Sequence, residues 1–351
     1  MTVRQVLGAF DLWRGQQQPL VLASVYDTAG STYSKAGAQM LINADGDFQG
    51  MLSGGCLEGD LALRAGQVLR TGQPQRVTYD LGRNDEELWG LGVGCDGLMR
   101  IFLQPLHPDS SYQPFTAMSA ALSGDNPQAA VTVLESDSAA AIPGQSLVLI
   151  DGEIAYSSIG PAITALCHEA AGRARSKVRS FTTEVATDSG QIKLLATLLQ
   201  PPPRVLVLGA GLDAQPLVRM IAELGWRVTV QDHRPLYVER GDFAGAEQVL
   251  CVPVSEIAGA VDLDRYAAAI VMSHHLASDR QYLLQLAPGK IPYIGLLGPR
   301  ERRELLLADP GIDAAGLRGR IHGPAGLDIG GRGPAAIALS IVAEMHQQLM
   351  R

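Results

Sequence analysis

Residues 204–214 read RVLVLGAGLDA, and this stretch indicates the fold more clearly than any other part of the chain. Its first five residues are mostly apolar and predict a buried strand. A Gly-x-Gly-x-x-Ala turn follows, and Asp213–Leu224 then places apolar residues at helical spacing. Gly225 ends this helix, and Arg227–Val230 is a second predicted strand. The order strand, turn, helix, strand predicts a parallel βαβ unit.

The same alternation continues toward the end of the chain. Further apolar stretches predict buried strands at Gln248–Val252, Ala267–Met272 and Tyr293–Leu297, and the last helical pattern is Pro334–Leu349. Strands that alternate with helices predict a parallel sheet covered on both faces. Three consecutive prolines, Pro201–Pro203, precede this region and favour a stiff, extended connector. We therefore expect an α/β protein of two domains, residues 1–200 and 204–351, of which the second is a Rossmann-like parallel sheet.

The region before the prolines predicts a mixed α/β domain. Predicted helices lie at residues 3–15, Leu57–Arg70 and Pro161–Ala174. Predicted strands lie at Leu20–Val25, Met40–Asn43, Phe48–Leu52, Gln75–Tyr79, Leu98–Leu103, Ala130–Leu134, Ser146–Ile150 and Ile192–Leu199. An Asp45-Gly46 pair between the second and third of these strands indicates a hairpin.

Composition excludes several classes of protein. At ~150 residues per domain, 351 residues correspond to two or three domains. With a net charge of −8, the chain lacks the excess of basic residues that is typical of nucleic-acid-binding proteins. No apolar run approaches the ~18 residues of a membrane span, and the first residues lack the features of a secretory signal. The four cysteines are far apart and form no C-x-x-C pair, so we expect reduced thiols, a cytoplasmic location and no structural zinc.

The glycine turn after residue 208 has the features of a dinucleotide-binding turn. Gly209 allows the tight turn, Gly211 lets a phosphate approach, and Ala214 allows close packing of helix and strand. Asp232 ends the second strand, where a carboxylate can accept hydrogen bonds from ribose hydroxyls. Arg234 could accommodate a 2′-phosphate or could be solvated. NAD(P), another nucleotide or part of a larger ligand would fit this pattern, and a Rossmann-like fold that has lost its ligand is the alternative.

Two cysteines lie in glycine-rich loops. Ser-Gly-Gly-Cys56-Leu-Glu follows a predicted strand and opens a helix, where the positive end of the helix dipole favours a thiolate. Gly-Leu-Gly-Val-Gly-Cys95-Asp-Gly is a second such loop. The alternative for both is a small buried side chain at a tight turn. Cys167 and Cys251 stand in apolar helix and strand contexts, and we expect both in the core.

A third loop is rich in hydroxyl groups. Between two predicted strands, residues 28–37 include Thr28, Ser31, Thr32 and Lys35. Hydroxyls, backbone donors and an ammonium group suit a phosphate or another polar ligand. A solvated connection is an equally good interpretation of this loop taken alone.

These segments together resemble the XdhC/CoxI family of accessory proteins for molybdenum hydroxylases such as xanthine dehydrogenase, aldehyde oxidoreductases and CO dehydrogenase. The segments are TAGSTYSKAGAQML (28–41), SGGCLEGDL (53–61), GLGVGCDGLMRIFLQP (90–105), RVLVLGAGLDAQPL (204–217), VQDHRP (230–235), SHHLASDRQYL (273–283), YIGLLGPRER (293–302) and IHGPAGLDIGGRGPAAIALSIVAEM (321–345). The resemblance covers nearly the whole chain in order and is weakest over residues 107–199.

The resemblance implies a chaperone that binds molybdenum cofactor, either bare or in its dinucleotide form. Such a protein protects the cofactor and assists its sulfuration and its insertion into an apo molybdenum hydroxylase. The cysteines that the family uses to hold the cofactor map onto Cys56 and Cys95, as molybdenum ligands or sulfur carriers. The pterin phosphate would be received by the glycine-rich and hydroxyl-rich loops, at Gly54, Gly55, Thr28, Ser31, Thr32 and Lys35. Two departures are Asp96, where the family usually has glycine, and GGRGPAAIA (330–338), where relatives carry an acidic run.

Other functions use the same residues differently. An NAD(P)-dependent oxidoreductase would bind its cofactor at Gly209–Asp232 and use His274 or His275 as acid and base, but it would leave the cysteine loops without a role. A non-catalytic, nucleotide-binding adaptor is a third interpretation, and the two histidines could equally order a loop. We expect an accessory protein rather than an enzyme. Its expected partners are the apo hydroxylase, a cysteine desulfurase and cofactor-synthesis enzymes, with self-association left open.

Overall fold

Residues 2–80 and 97–350 are described by a computed structural model. Contacts within the chain divide it into a first unit, Met1–Pro201, and a second unit, Pro202–Arg351. Both units combine helices with sheets, so the predicted α/β class is confirmed. In these described ranges, no helix is both long and apolar enough to cross a membrane.

The first unit contains the following elements in chain order. Its helices and strands are α1 (Val3–Gly15), β1 (Leu20–Ala29), β2 (Gln39–Asn43), β3 (Phe48–Gln49), α2 (Glu58–Thr71), β4 (Gln75–Asp80), β5 (Leu98–Leu106), α3 (Phe115–Ser123), β6 (Gln128–Ser136), β7 (Ser146–Ile150), β8 (Glu153–Ser157), α4 (Pro161–Ser176), β9 (Phe181–Thr187) and β10 (Gly190–Leu199). A short 3-10 helix, Pro108–Ser110, follows β5.

Two antiparallel sheets form the framework of the first unit. In the described residues their strand orders are β3-β2-β1-β5-β4 and β8-β7-β6-β10-β9. Strand β1 is central because it pairs with both β2 and β5. Its side chains alternate between two cores: Val21 and Ala23 pack with α2, whereas Leu20 and Leu22 pack with α1 and α3. This alternation is the period of two that a strand buried on both faces requires.

The second unit contains a parallel sheet with helices between its strands. Its elements are β11 (Arg204–Leu208), α5 (Ala214–Glu223), β12 (Arg227–Asp232), α6 (Pro235–Arg240), β13 (Gln248–Cys251), α7 (Ile257–Ala260), β14 (Ala268–Val271), α8 (Leu276–Leu286), β15 (Tyr293–Leu296), α9 (Arg300–Leu307), β16 (Ile321–His322) and α10 (Pro334–Leu349), with short 3-10 helices at Val254–Glu256 and Leu263–Arg265. All neighbouring strands run parallel, in the order β13-β12-β11-β14-β15-β16. This is the strand order of a Rossmann fold, as the glycine turn predicts.

Helices cover both faces of this sheet. One core contains Leu217 and Ile221 of α5 together with Ile341 of α10, and the other contains Tyr282 and Leu286 of α8. The four central strands are buried along nearly their whole length, because a parallel sheet covered on both faces has no solvated side.

The prediction of a buried strand at 248–252 is wrong in part. Strand β13 exists, but three of its four residues are exposed. Among the described strands it pairs with β12 alone and therefore forms an edge of the sheet. Cys251, expected in the core, is exposed for the same reason.

Candidate functional site

The second unit has a topological switch point between β11 and β14, where the order of the strands reverses direction. From β11 the chain runs outward to β12 and β13, and it then returns to the other side of β11 as β14. Ligands of open parallel sheets bind outside the carboxyl ends of the two strands that adjoin at such a switch point. The residues that follow these strands are Gly209–Ala214 after β11 and Met272–His275 after β14.

The glycine turn has the conformation that its sequence predicts. Gly209 has φ +125°, and a Cβ built on it would lie 2.5 Å from the carbonyl oxygen of Met272. Only glycine avoids both the strain and this clash. Ala214 is fully buried at the start of α5, and its N–H donates to the carbonyl of Gly211 at 3.0 Å. The structure therefore brings Gly209, Gly211 and Ala214 into one tight connection between β11 and α5.

Asp232 makes contacts that the sequence does not reveal. One carboxylate oxygen accepts the N–H of Ala210 at 2.8 Å, and the guanidinium of Arg234 donates to both oxygens at 2.9 and 2.7 Å. Burial alone would raise the pKa of Asp232, but the hydrogen bonds from Arg234 and Ala210 lower it below its ordinary value. The Arg234 guanidinium also lies 3.8 Å from the ring centroid of Tyr237. Asp232 thus connects the turn to Arg234, and a ribose hydroxyl would have to displace one of these donors.

Asp213 and His274 meet across the switch point. His274 Nε2 and Asp213 Oδ2 are 2.7 Å apart. Asp213 stands at the N-cap of α5 but its side chain makes no capping hydrogen bond there. His274 has φ +61°, a left-handed conformation that is uncommon for a residue other than glycine. Local strain of this kind persists where the surrounding structure holds it, and it concentrates at functional sites.

A buried network supports the segment that carries His274. The hydroxyl of Ser273 donates to Asp279 Oδ1 at 2.5 Å, and Asp279 is 1% exposed. The guanidinium of Arg302, on α9, donates to the other oxygen of Asp279 at 2.6 Å. The neighbouring His275 instead places its Nδ1 3.2 Å from the hydroxyl of Ser278. The two histidines therefore differ: the ring of His274 reaches the glycine turn, whereas the ring of His275 lies against Ser278 of α8.

A half-buried carboxylate organises the edge of the same sheet formed by β15 and β16. Glu344 on α10 accepts hydrogen bonds from the Tyr293 hydroxyl at 2.6 Å and from the Gly326 N–H at 2.7 Å, and it pairs with His322 at 3.0 Å. Burial would raise the pKa of Glu344, but these hydrogen bonds lower it. The His322 ring stacks on Tyr293. His322 is thus a structural residue that joins β16 to α10.

In the first unit, the loop that carries Cys56 is organised by Glu58. This carboxylate is 1% exposed and accepts the backbone N–H groups of Leu52 and Ser53 at 2.8 Å and of Gly55 at 3.0 Å. It also accepts the Ser53 hydroxyl at 2.5 Å. Burial would raise the pKa of Glu58, but the Ser53 and Leu52 hydrogen bonds lower it. The loop therefore closes around an internal anion and directs Gly54 and Gly55 outward, where both are exposed.

The hydroxyl-rich loop lies against the cysteine loop. A Cβ built on Gly54 would lie 3.4 Å from Cδ2 of Tyr33. The hydroxyl of Ser34 donates to the carbonyl of Met51 at 3.3 Å, and Lys35 Nζ donates to Thr32 Oγ1 at 3.2 Å. Lys35 and the two glycines of the cysteine loop thus belong to neighbouring loops at one end of the sheet formed by β1–β5.

The segment after Cys95 reaches the same place. A Cβ built on Gly97 would lie 2.2 Å from the carbonyl oxygen of Ser31, so only glycine fits between the two segments. Thr28 lies on β1 opposite Met99 of β5. Cys95 itself lies outside the described residues, but the chain that follows it packs on the loop of Ser31 and Thr32.

The three cysteines in the described ranges have different environments. Cys56 is half-buried beside the core that contains α2, so it is neither a core residue nor fully exposed. Cys167 is fully buried on α4, as predicted, and burial raises the pKa of its thiol to about 11. Cys251 is exposed at the end of β13.

Several of these contacts cannot be read from the sequence. Four carboxylates accept hydrogen bonds from groups that lie elsewhere in the sequence: Asp213, Glu58, Asp279 and Glu344. The spacing from Ser53 to Glu58 could have indicated that a carboxylate folds back onto the loop. Within residues 2–80 and 97–350, no group of three or more His, Cys, Asp or Glu side chains is arranged to hold a metal ion.

Family models match both units. Residues 13–80 match the model described as "XdhC and CoxI family", and residues 205–345 match the model described as "XdhC Rossmann domain". The first match includes the Cys56 and Lys35 loops, and the second includes the glycine turn and His274.

Individual relatives agree with these matches. A Bacillus subtilis protein, named as a probable subunit of xanthine dehydrogenase, is 28% identical over 336 residues, which are 95% of this chain and 94% of that protein. The Escherichia coli molybdenum cofactor insertion chaperone PaoD is 29% identical over 98 residues, 28% of this chain and 29% of PaoD. A crystal structure described as a xanthine dehydrogenase from Bacillus halodurans superposes with a TM-score of 0.78 at 27% identity and covers 100% of this chain and 96% of that one.

Proposed function

The chain belongs to the XdhC and CoxI family and its second unit is an XdhC Rossmann domain; on that premise, we propose that it is a chaperone for molybdenum cofactor. In this role it binds the cofactor as cargo, protects it, and assists its sulfuration and its insertion into an apo molybdenum hydroxylase of the xanthine dehydrogenase, aldehyde oxidoreductase or CO dehydrogenase type. The name of the relative PaoD, a molybdenum cofactor insertion chaperone, supports this proposal.

The observation that carries the proposal is the convergence of loops in the first unit. The loop of Ser31 and Lys35 lies against the loop of Gly54 and Cys56, and Gly97, two residues after Cys95, packs against Ser31. A thiol, an ammonium group and exposed glycines are thereby collected at one end of a sheet. The cofactor presents complementary chemistry, because it combines a thiophilic metal with a phosphate.

Each residue has a defined part in this proposal. The thiol of Cys56 ligates molybdenum or transiently carries sulfur, since soft sulfur ligands suit thiophilic metals. Lys35, with Thr28, Ser31 and Thr32 around it, receives the phosphate, and Gly54 and Gly55 let the ligand approach the backbone. Cys95 serves as the second sulfur ligand. The partners are the apo hydroxylase, a cysteine desulfurase and the enzymes that supply the cofactor, in a cytoplasm that keeps these thiols reduced.

An NAD(P)-dependent oxidoreductase has less support. Its ribose-binding carboxylate, Asp232, is already bonded to Ala210 and Arg234. Its two acid–base candidates also have different positions, because the ring of His275 contacts Ser278 and, of the two, only His274 reaches the glycine turn. We propose that this chain turns over no small hydroxy acid or aldehyde with NAD(P).

Activation of a client tests the proposed function. An apo molybdenum hydroxylase encoded in the same genome is expressed with and without this chain, and its molybdenum content and activity are measured. We expect active, molybdenum-loaded hydroxylase only with the chain, and molybdenum with pterin in a pull-down of the chain itself. Equal hydroxylase activity in both cultures, or nicotinamide-dependent turnover by the purified chain, would count against it.

A further inference from the structure

Asp213 and His274 form a carboxylate–imidazole pair that a solute can reach. Asp213 follows β11 and His274 follows β14, so the pair bridges the switch point of the second unit, with 2.7 Å between Oδ2 and Nε2. The side chain of His274 is 59% exposed and that of Asp213 is 18% exposed. Among the described residues, the other ring nitrogen of His274 has no hydrogen-bond partner.

This pair lies where a Rossmann fold otherwise binds a diphosphate. In that arrangement the phosphate packs against the second glycine of the turn, here Gly211. The space beside Gly211 is taken by Asp213, because a Cβ built on Gly211 would lie 2.6 Å from Asp213 Oδ1. A carboxylate at this position repels a phosphate anion. Asp232 is also already hydrogen-bonded to Ala210 and Arg234. NAD(P) without a bound cation therefore does not fit the turn in this conformation.

A buried network holds the segment that carries His274. His274 keeps its left-handed backbone, and the preceding Ser273 is bonded to the buried carboxylate of Asp279, which Arg302 neutralises. On the other side, Asp213 lies at the N-cap of α5, where its side chain makes no capping hydrogen bond and instead contacts His274. The backbone that carries His274 is therefore fixed by a buried hydrogen-bond network, which presents the imidazole to Asp213.

We propose that Asp213 and His274 bind a divalent cation, and that this cation brings a phosphate-bearing ligand to the N-terminus of α5. One carboxylate oxygen and one imidazole nitrogen suit Mn²⁺, Co²⁺ or Zn²⁺ better than Ca²⁺ or Mg²⁺. Two protein ligands leave the other coordination positions to water and to phosphate oxygens. The cation offsets the charge of Asp213, so that the helix N-terminus can attract the phosphate. This site belongs to the second unit and does not depend on what the first unit binds.

Binding of Mn²⁺ to the full-length, metal-free protein tests the cation site. Isothermal titration compares the wild type with Asp213→Asn, His274→Ala and, as the matched control, His275→Ala. We expect one Mn²⁺ per chain in the wild type and in the control, and affinity weaker by about ten-fold or more in the other two variants. Asp213→Asn retains a hydrogen bond to His274 and should fold, which circular dichroism verifies. Absence of Mn²⁺ binding in the wild type, or equal affinity in folded Asp213→Asn, would overturn the proposal.

A diphosphate probe tests the second part of the proposal. The midpoint of thermal unfolding is measured with ADP in the presence of Mn²⁺, with ADP and a chelator, and with Mn²⁺ alone. Ligand that binds only the native state raises this midpoint by mass action. With Mn²⁺ present, we expect ADP to raise the unfolding midpoint of the wild type beyond the effect of Mn²⁺ alone. With the chelator, we expect ADP to leave the midpoint of the wild type unchanged. With the chelator and Asp213→Asn, we expect ADP to raise the midpoint, because the repelling carboxylate has been removed. An equal shift with the chelator in the wild type, or no further shift with Mn²⁺, would show that phosphate does not use the cation.

Discussion

At the scale of single residues, Glu58 determines the shape of the loop that carries Cys56. One carboxylate oxygen of Glu58 accepts hydrogen bonds from the Ser53 hydroxyl and from the N–H groups of Gly55 and Leu57. Glu58→Gln removes an acceptor oxygen, so these donors lose this partner. Buried donors without an acceptor cost about 1–3 kcal/mol, so we expect the free energy of unfolding in urea to fall by that amount at neutral pH. The exposed Glu169→Gln variant on α4 is the control and should unfold like the wild type.

The same variant has a predictable pH dependence. The pKa of Glu58 is lower in the folded protein than its ordinary value of 4.5. Its stabilising contribution is therefore present above the unfolded pKa and is lost as the pH falls through the folded pKa. The stability difference between wild type and Glu58→Gln should shrink as the pH falls from about 5 to about 3. A difference that stays constant over this range would mean that the charge of Glu58 does not stabilise the loop.

The cysteines should differ in reactivity toward iodoacetamide. Burial raises the pKa of Cys167 to about 11 and removes its thiol from solvent, so we expect no alkylation in the native protein near neutral pH. Exposed Cys251 should react first and half-buried Cys56 more slowly. Mass spectrometry of peptides after timed alkylation measures these rates. Reaction of native Cys167 as fast as that of Cys251 would contradict the assigned burial.

Residue types and motifs predict only part of the candidate site. The glycines of the turn can be assigned because their backbone geometry has few alternatives. Asp232 can be placed at the end of a strand, but its donors cannot be foreseen, because Arg234 folds back from the next loop. The pairing of Asp213 with His274 joins residues 61 positions apart and depends on the strand order. The core position expected for Cys251 is wrong because an apolar stretch does not reveal an edge strand.

At the scale of elements, the turn between β11 and α5 depends on glycine at position 209. Gly209→Ala would place a Cβ 2.5 Å from the Met272 carbonyl in a left-handed backbone. We expect a loss of about 1–3 kcal/mol in the stability of the second unit, measured by urea unfolding. The matched control is Gly259→Ala in α7, where a Cβ meets nothing within 4 Å. Equal stability of the two variants would show that the turn tolerates a side chain.

The strands that sequence patterns missed share one property. Strands β8 and β9 are the two edges of the second antiparallel sheet, and their residues are mostly exposed or half-buried. Strand β16 has only two residues. Edge strands carry little buried surface, so they lack the apolar runs that predict β10, β11 and β14. Interior strands and amphipathic helices are predictable because burial on a fixed period selects their residues.

At the scale of the whole molecule, the two units should fold independently. The described core clusters each draw their residues from one unit alone. Residues 202–351 expressed as a separate protein should therefore unfold cooperatively in urea, with a midpoint that matches one transition of the full chain. A fragment without a cooperative transition would show that the second unit needs the first.

The proposed role of Cys56 in holding molybdenum cofactor is tested by the amount of cofactor that cysteine variants retain. Wild type, Cys56→Ser, Cys95→Ser and the buried control Cys167→Ser are purified from cells that make the cofactor. Molybdenum and oxidised pterin are then measured per mole of folded protein, with thermal stability beside them. We predict a loss of about ten-fold or more at Cys56, a smaller loss at Cys95 and none at Cys167. Full retention of cofactor, with full activation of the client hydroxylase, by folded Cys56→Ser would rule out this role for Cys56.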